Sequence, residues 1–228
     1  MNDSRKNQSS VLGKLRDFAM TNRSSFAGTL LFTMGVVAFM GIITAEALYP
    51  GYSTSDNMIS DLGASEPPNS IIKQPSSNIF SGSMFVSGVL VLLSVYSVHS
   101  EFRKMYFTIP FTLLGLGVLG VGVFNGSWGG IHAVFALMTF TAGGVAALVS
   151  YRILTPPMKY VSAVLGLISL ATLTVYFATG DTGPLESLGP GGIERWIAYP
   201  IVFWALGFGA YLLGSGRLKA SGTLLVNG

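Results

Sequence analysis

YPGYSTSDNMISDLGASEPPNSIIKQPSSN, residues Tyr49–Asn78, is polar, rich in Pro, Ser and Asn, and lies between two strongly apolar runs. At its centre is Asn57-Met58-Ile59-Ser60-Asp61-Leu62-Gly63-Ala64. A connection this long with no periodic pattern is uncommon in a compact protein, and is usually either functional or disordered. The stretch reads as an extracytoplasmic loop that closes over a polar pocket at one end of a membrane helix bundle.

Working outward, the flanks fix the class. The chain has 228 residues, 50% apolar and only 10% charged. Soluble domains carry about a quarter charged residues, so a soluble surface cannot be built here. Six apolar runs fall at about 25–48, 79–98, 107–124, 131–151, 159–178 and 195–214. Each approaches the ~20 residues that cross a bilayer core. None alternates with period two, and only helices or closed barrels satisfy the backbone in lipid, so the expected fold is all-α. It is a polytopic membrane protein with six transmembrane helices in one bundle. The divisions are a basic segment over 1–24, a membrane domain over 25–214 with its outer loop at 49–78, and a tail over 215–228. Residues 11–19 read either as an amphipathic surface helix or as part of a disordered basic tail. The long polar stretch before a run able to span argues against a cleaved leader.

Of the 13 basic residues, all but Lys73 and Arg195 fall on one side of this arrangement. Asp56, Asp61, Glu66, Asp181, Glu186 and Glu194 fall on the other. The positive-inside rule then places both termini in the cytoplasm and loops one, three and five outside. The basic excess is therefore a topology signal, and no nucleic-acid partner is expected. With no cysteine and two histidines, thiolate chemistry is excluded and a multi-histidine metal site is short of ligands. No metal and no cofactor is expected.

The polar residues that could carry chemistry gather at the outer boundary. Glu46 lies near the outer end of the first span, Asp61 in loop one, Asn125 in the NGSWGG loop, His132 at the start of the fourth span, and Glu194 and Arg195 at the start of the sixth. An acid in a spanning helix costs ~2.5–3.5 kcal/mol at the centre and less near an end. Glu46 therefore either pairs inside the bundle, with Arg195 as its natural partner, or reaches interfacial water. The Arg195 fork suits a carboxylate or phosphate, from Glu46, Asp61 or a lipid headgroup. Glu194 reads as a helix cap. His132 reads as a base, a ligand, or a helix-start histidine bonded to a loop carbonyl. Two patterns mislead. Gly115-Leu116-Gly117-Val118-Leu119-Gly120 fits G-x-G-x-x-G but sits inside a span, where close helix packing explains it. Asn125-Gly126-Ser127 is a sequon set against the membrane.

YPGYSTSDNMISDLGA (Tyr49–Ala64), GVFNGSWGGIHAVFALMTF (Gly122–Phe140) and GGIERWIAYPIVFWALGFGAYL (Gly191–Leu212) resemble the archaeal integral-membrane proteins grouped as domain of unknown function 998. More distantly, Ile59-Ser60-Asp61-Leu62-Gly63, Asn125 and His132 are similar to the DRAM and Frag/Sfk-type six-helix proteins. That likeness implies a common site at Asp61, Asn125 and His132 and work linked to lipid handling. The longer loop one, with Pro67-Pro68 and Lys73-Gln74-Pro75, departs from the pattern.

Three functions follow. The first is binding or modification of a lipid headgroup at an outer-leaflet pocket of the cell membrane, with membrane lipids as partners. The second is a structural or regulatory membrane protein without a substrate. The third is a small-solute transporter or channel, which needs polar residues through the middle of the bundle. Catalytic residues are not identified by sequence, and a homo-oligomer stays open.

Overall fold

The structure, a computed structural model, describes residues 23–180 and 183–226, with side chains through residue 216. The surface helix considered over 11–19 lies outside the described residues. Six helices follow in order: α1 Arg23–Ala47, α2 Ser76–Phe102, α3 Met105–Val123, α4 Gly130–Val149, α5 Met158–Thr179 and α6 Gly189–Val226. Among the described residues there is no strand. All six helices are long and apolar enough to cross a membrane, so the architecture is that of a multi-pass membrane protein.

Each helix packs on its neighbour in sequence, and α6 closes the ring on α1. Loops one, three and five therefore share one end of the bundle, here termed the loop end. The two-residue turn Arg103–Lys104, the α4–α5 connection and the start of α1 share the other.

The outside of this bundle is apolar. Phe32, Met40, Leu93, Ile109, Leu116, Val134, Val164, Leu167 and Phe203 all stand exposed in mid-helix. The inside holds small and polar residues, with Ser87, Ser94, Ser162 and Ser169 fully buried. That inversion suits a lipid solvent, in which helices associate by close packing and not by hiding apolar surface from water. Glycine permits the approach. A Cβ on Gly88 of α2 would strike the Leu119 backbone of α3, and one on Gly209 of α6 would strike the Phe32 backbone of α1. The G-x-G-x-x-G run belongs to this class: Gly117 faces Thr139 and Gly120 faces the Phe135 ring, both on α4.

Away from the loop end the axis is filled by aromatic rings. Phe107, Phe111, Trp204 and Phe208 are each at most 1% exposed. Trp204 and Phe208 stack at 5.5 Å, and the indole N–H of Trp204 donates to Ser150 Oγ at 3.1 Å.

The helix ends differ from the sequence reading mainly in α6. It begins at Gly189, well before 195, and runs on through Val226 into the stretch read as a tail. Gly189 has φ +67° and ends the preceding turn, and Pro190 then fits the first helical position, where its missing N–H costs nothing. Glu194 and Arg195 consequently sit in the second turn of α6 and do not open it.

Candidate functional site

Loop one folds back over the loop end through a short 3-10 turn, Ser60–Leu62. Two hydroxyls at the start of α2 hold it down: Ser76 donates to the Leu62 carbonyl at 3.4 Å and Ser77 to that of Gly63 at 2.5 Å. Its far side rests on loop three, where Gly126 is pressed against the Ala64 carbonyl with no room for a Cβ. Asn125 shapes that second loop by accepting from the Ser127 N–H at 3.2 Å and the Ser127 hydroxyl at 2.6 Å. Inside loop one, Asp61 Oδ2 accepts from the Met58 N–H at 2.9 Å. Half-burial raises the Asp61 carboxyl above its ordinary value, and the bonds from Met58 and Asn57 offset this only in part.

The charged candidates separate into two groups. In the first, Arg195 Nη2 meets Glu46 Oε1 at 2.6 Å, the one ion pair among the described residues. The two side chains are only 11% and 16% exposed. Nη2 also donates to the Tyr52 hydroxyl at 2.7 Å, and Tyr52 donates in turn to the Met58 carbonyl at 2.8 Å. Nη1 donates to the carbonyls of Gly191 and Thr54, both at 2.8 Å, and of Asn57 at 3.2 Å. The Arg195 fork thus ties α1, loop one and α6 into one knot. Burial keeps the Tyr52 phenol protonated well beyond its ordinary range. Sequence reasoning found Glu46 with Arg195 but passed over Tyr52, whose only signal was its place in Tyr49-Pro50-Gly51-Tyr52.

The second group faces inward. Glu194 is 8% exposed, and its Oε2 accepts from the backbone N–H groups of Ile59 and Ser60, the latter at 3.3 Å. It therefore caps the 3-10 turn of loop one and not its own helix. His132 is 4% exposed, with Nδ1 2.6 Å from the Phe124 carbonyl. Its Nε2 is buried without a partner among the described residues. A buried polar atom left unsatisfied costs ~1–3 kcal/mol, which marks Nε2 as the odd atom of this inner group; in the first group the Arg195 Nε is likewise without a partner among the described residues.

Two cavities meet at this group. One, of about 70 Å³, lies inside the bundle among Met34, Met84, Leu114, Val118 and Phe140. The other, of about 280 Å³, is a cleft between α4, α5 and the start of α6, lined by Leu137, Leu173 and Phe177 with Met58 and Glu66 of loop one. Ser60, His132 and Glu194 line both. Asp61 and Asn125 line neither, and act through loop geometry. No cluster of three or more metal-ligating side chains occurs among the described residues.

A family model described as "Protein of unknown function (DUF998)" matches residues 32–211. No curated protein and no solved structure matches the chain.

Proposed function

The chain belongs to the DUF998 family, and from its geometry we propose that it binds a membrane lipid in the cleft between α4, α5 and α6. The observation that carries this reading is the amphipathic grain of the cleft. Ser60, Glu66, His132 and Glu194 stand at its loop end, Leu137 and Leu173 line it deeper in the bundle, and Phe177 flanks its mouth. Leu137 and Phe177 are 44% and 66% exposed on the outside of the bundle, so the cleft opens sideways toward the bilayer. A lipid can enter there from the membrane, its headgroup against loop one and its chains along Leu137 and Leu173, deeper in α4 and α5. The bias of basic residues supports an outward-facing loop end, and with it a site in the outer leaflet of the cell membrane.

Arg195 is not part of this headgroup site, because its fork is spent on Glu46, Tyr52 and backbone carbonyls. Transport is disfavoured by the ring-filled axis at Phe107, Phe111, Trp204 and Phe208. A purely structural role is favoured by one observation, the engagement of both terminal nitrogens of Arg195 in the knot with Glu46.

The test fills the cleft. Ala133 lines it and is exposed, so Ala133→Trp occupies the space without touching the knot. Native mass spectrometry of the purified protein is expected to find a retained lipid on the wild type and its loss from the variant, with the melting temperature kept. Equal lipid on both proteins argues for the structural role.

A further inference from the structure

We infer that the polar end of the cleft receives a hydrogen-bond donor, so that the lipid it selects is a neutral lipid alcohol and not a phosphate ester. This inference rests on the cleft being a lipid site, and goes beyond it by naming the headgroup chemistry.

The reasoning starts at His132. Its Nδ1 lies 2.6 Å from the Phe124 carbonyl oxygen. A carbonyl has no hydrogen to give, so Nδ1 carries the proton and donates. In the neutral ring Nε2 must then present its lone pair. That atom is buried, has no partner among the described residues, and belongs to a side chain lining both cavities. Fixing one ring nitrogen on a backbone carbonyl therefore turns the other into a hydrogen-bond acceptor facing the ligand space.

The neighbouring polar groups have the same preference. Glu194 Oε2 accepts from two backbone N–H groups, and the residue lines the same two cavities. Glu66 stands at the cleft rim. The Ser60 hydroxyl can donate or accept. No lysine or arginine lines either cavity among the described residues. Phosphate recognition calls for Arg, Lys or converging N–H donors, and this wall offers acceptors in their place. A hydroxyl matches it, since its O–H can go to His132 Nε2 and its lone pair to Ser60. The inner cavity of about 70 Å³ exceeds what one water requires, so a hydroxymethyl group fits.

The chain contains two histidines, so selective ¹⁵N-histidine labelling gives a two-residue spectrum. The full-length protein is placed in phosphatidylcholine nanodiscs at about pH 8, above the ordinary histidine range. Dioleoylglycerol is the lipid alcohol and dioleoyl phosphatidic acid the phosphate probe. His132→Asn identifies the His132 signals; it keeps an amide N–H able to reach the Phe124 carbonyl and removes the acceptor from the place of Nε2, which the shorter amide oxygen does not reach. The expected spectrum shows a lone-pair Nε2 on His132 that moves with dioleoylglycerol and stays still with phosphatidic acid. Native mass spectrometry is expected to show the wild type preferring dioleoylglycerol by roughly tenfold, the worth of one well-made hydrogen bond, and His132→Asn losing that preference. Should the variant fail to fold, the wild-type titration decides alone, His99 being assigned by its own substitution. A protonated Nε2, an unmoved Nε2, or phosphatidic acid held as well as the alcohol overturns the inference while leaving the cleft a lipid site. Retention of neither lipid removes both readings.

Discussion

The guanidinium of Arg195 meets the Glu46 carboxylate, the Tyr52 hydroxyl and three backbone carbonyls, so its value lies in holding loop one to two helices. Arg195→Ala leaves Glu46 at low dielectric with no cation. Breaking a buried pair from one side costs ~3–5 kcal/mol, which lowers a melting temperature by on the order of 10 °C at this size. Glu46→Gln is milder, because three carbonyls and Tyr52 still surround the cation and Gln keeps an acceptor. Thermal denaturation in detergent, monitored by intrinsic fluorescence, separates the two; an equal loss contradicts the assigned roles. Asp61 gives a pH signature. Its folded carboxyl binds a proton more tightly than the ordinary value of 3.8, so the folded state holds more protons just above that pH. Its contribution to stability is therefore present in acid and is lost as pH rises through the folded value. Asp61→Asn retains an acceptor for the Met58 N–H and abolishes this loss. The variant's melting temperature should gain on the wild type as pH rises through that window, and parallel curves contradict the assignment. The Glu46–Arg195 pair was legible in the sequence because a charge in a spanning helix needs a partner. Its Tyr52 and backbone contacts were not, since they depend on how loop one folds back.

Helix packing turns on where small residues face. Gly88 of α2 is in contact with the Leu119 backbone of α3, whereas Gly82, in the same helix, has open space where its Cβ would stand. Gly88→Ala must push α2 from α3 and should lower the melting temperature. Gly82→Ala should be neutral or stabilising by up to about 1 kcal/mol through helix propensity. Similar losses from both would show that close approach is not what holds these helices. The spans themselves were readable from hydropathy, because length and apolarity are set by the bilayer. The start of α6 was not. Gly189-Pro190-Gly191-Gly192 has poor helix formers and reads as loop, yet Pro190 suits a first helical turn, and Gly191 has the Asn57 carbonyl against the place of its Cβ. Glu194 was read as a cap for the same reason; one turn further into the helix, it caps loop one instead.

At the scale of the whole molecule, the bundle is an apolar exterior around a small, partly polar interior, blocked by rings in one half and hollowed in the other. The hollow opens to the side between α4, α5 and α6 and ends at His132 and Glu194 beneath loop one. That a loop-end pocket exists was foreseeable from polar residues collecting at one depth. That it opens sideways was not, because this depends on the spacing between α4 and α5. The most direct measurement is site-specific photo-crosslinking in cells. A benzoylphenylalanine at Phe177, in the cleft, is compared with one at Leu93, on the lipid-facing side of α2 and 58% exposed. The account predicts that the Phe177 probe captures one lipid species far above its membrane abundance, while the Leu93 probe captures the bulk mixture. The same lipid mixture at both positions would contradict it.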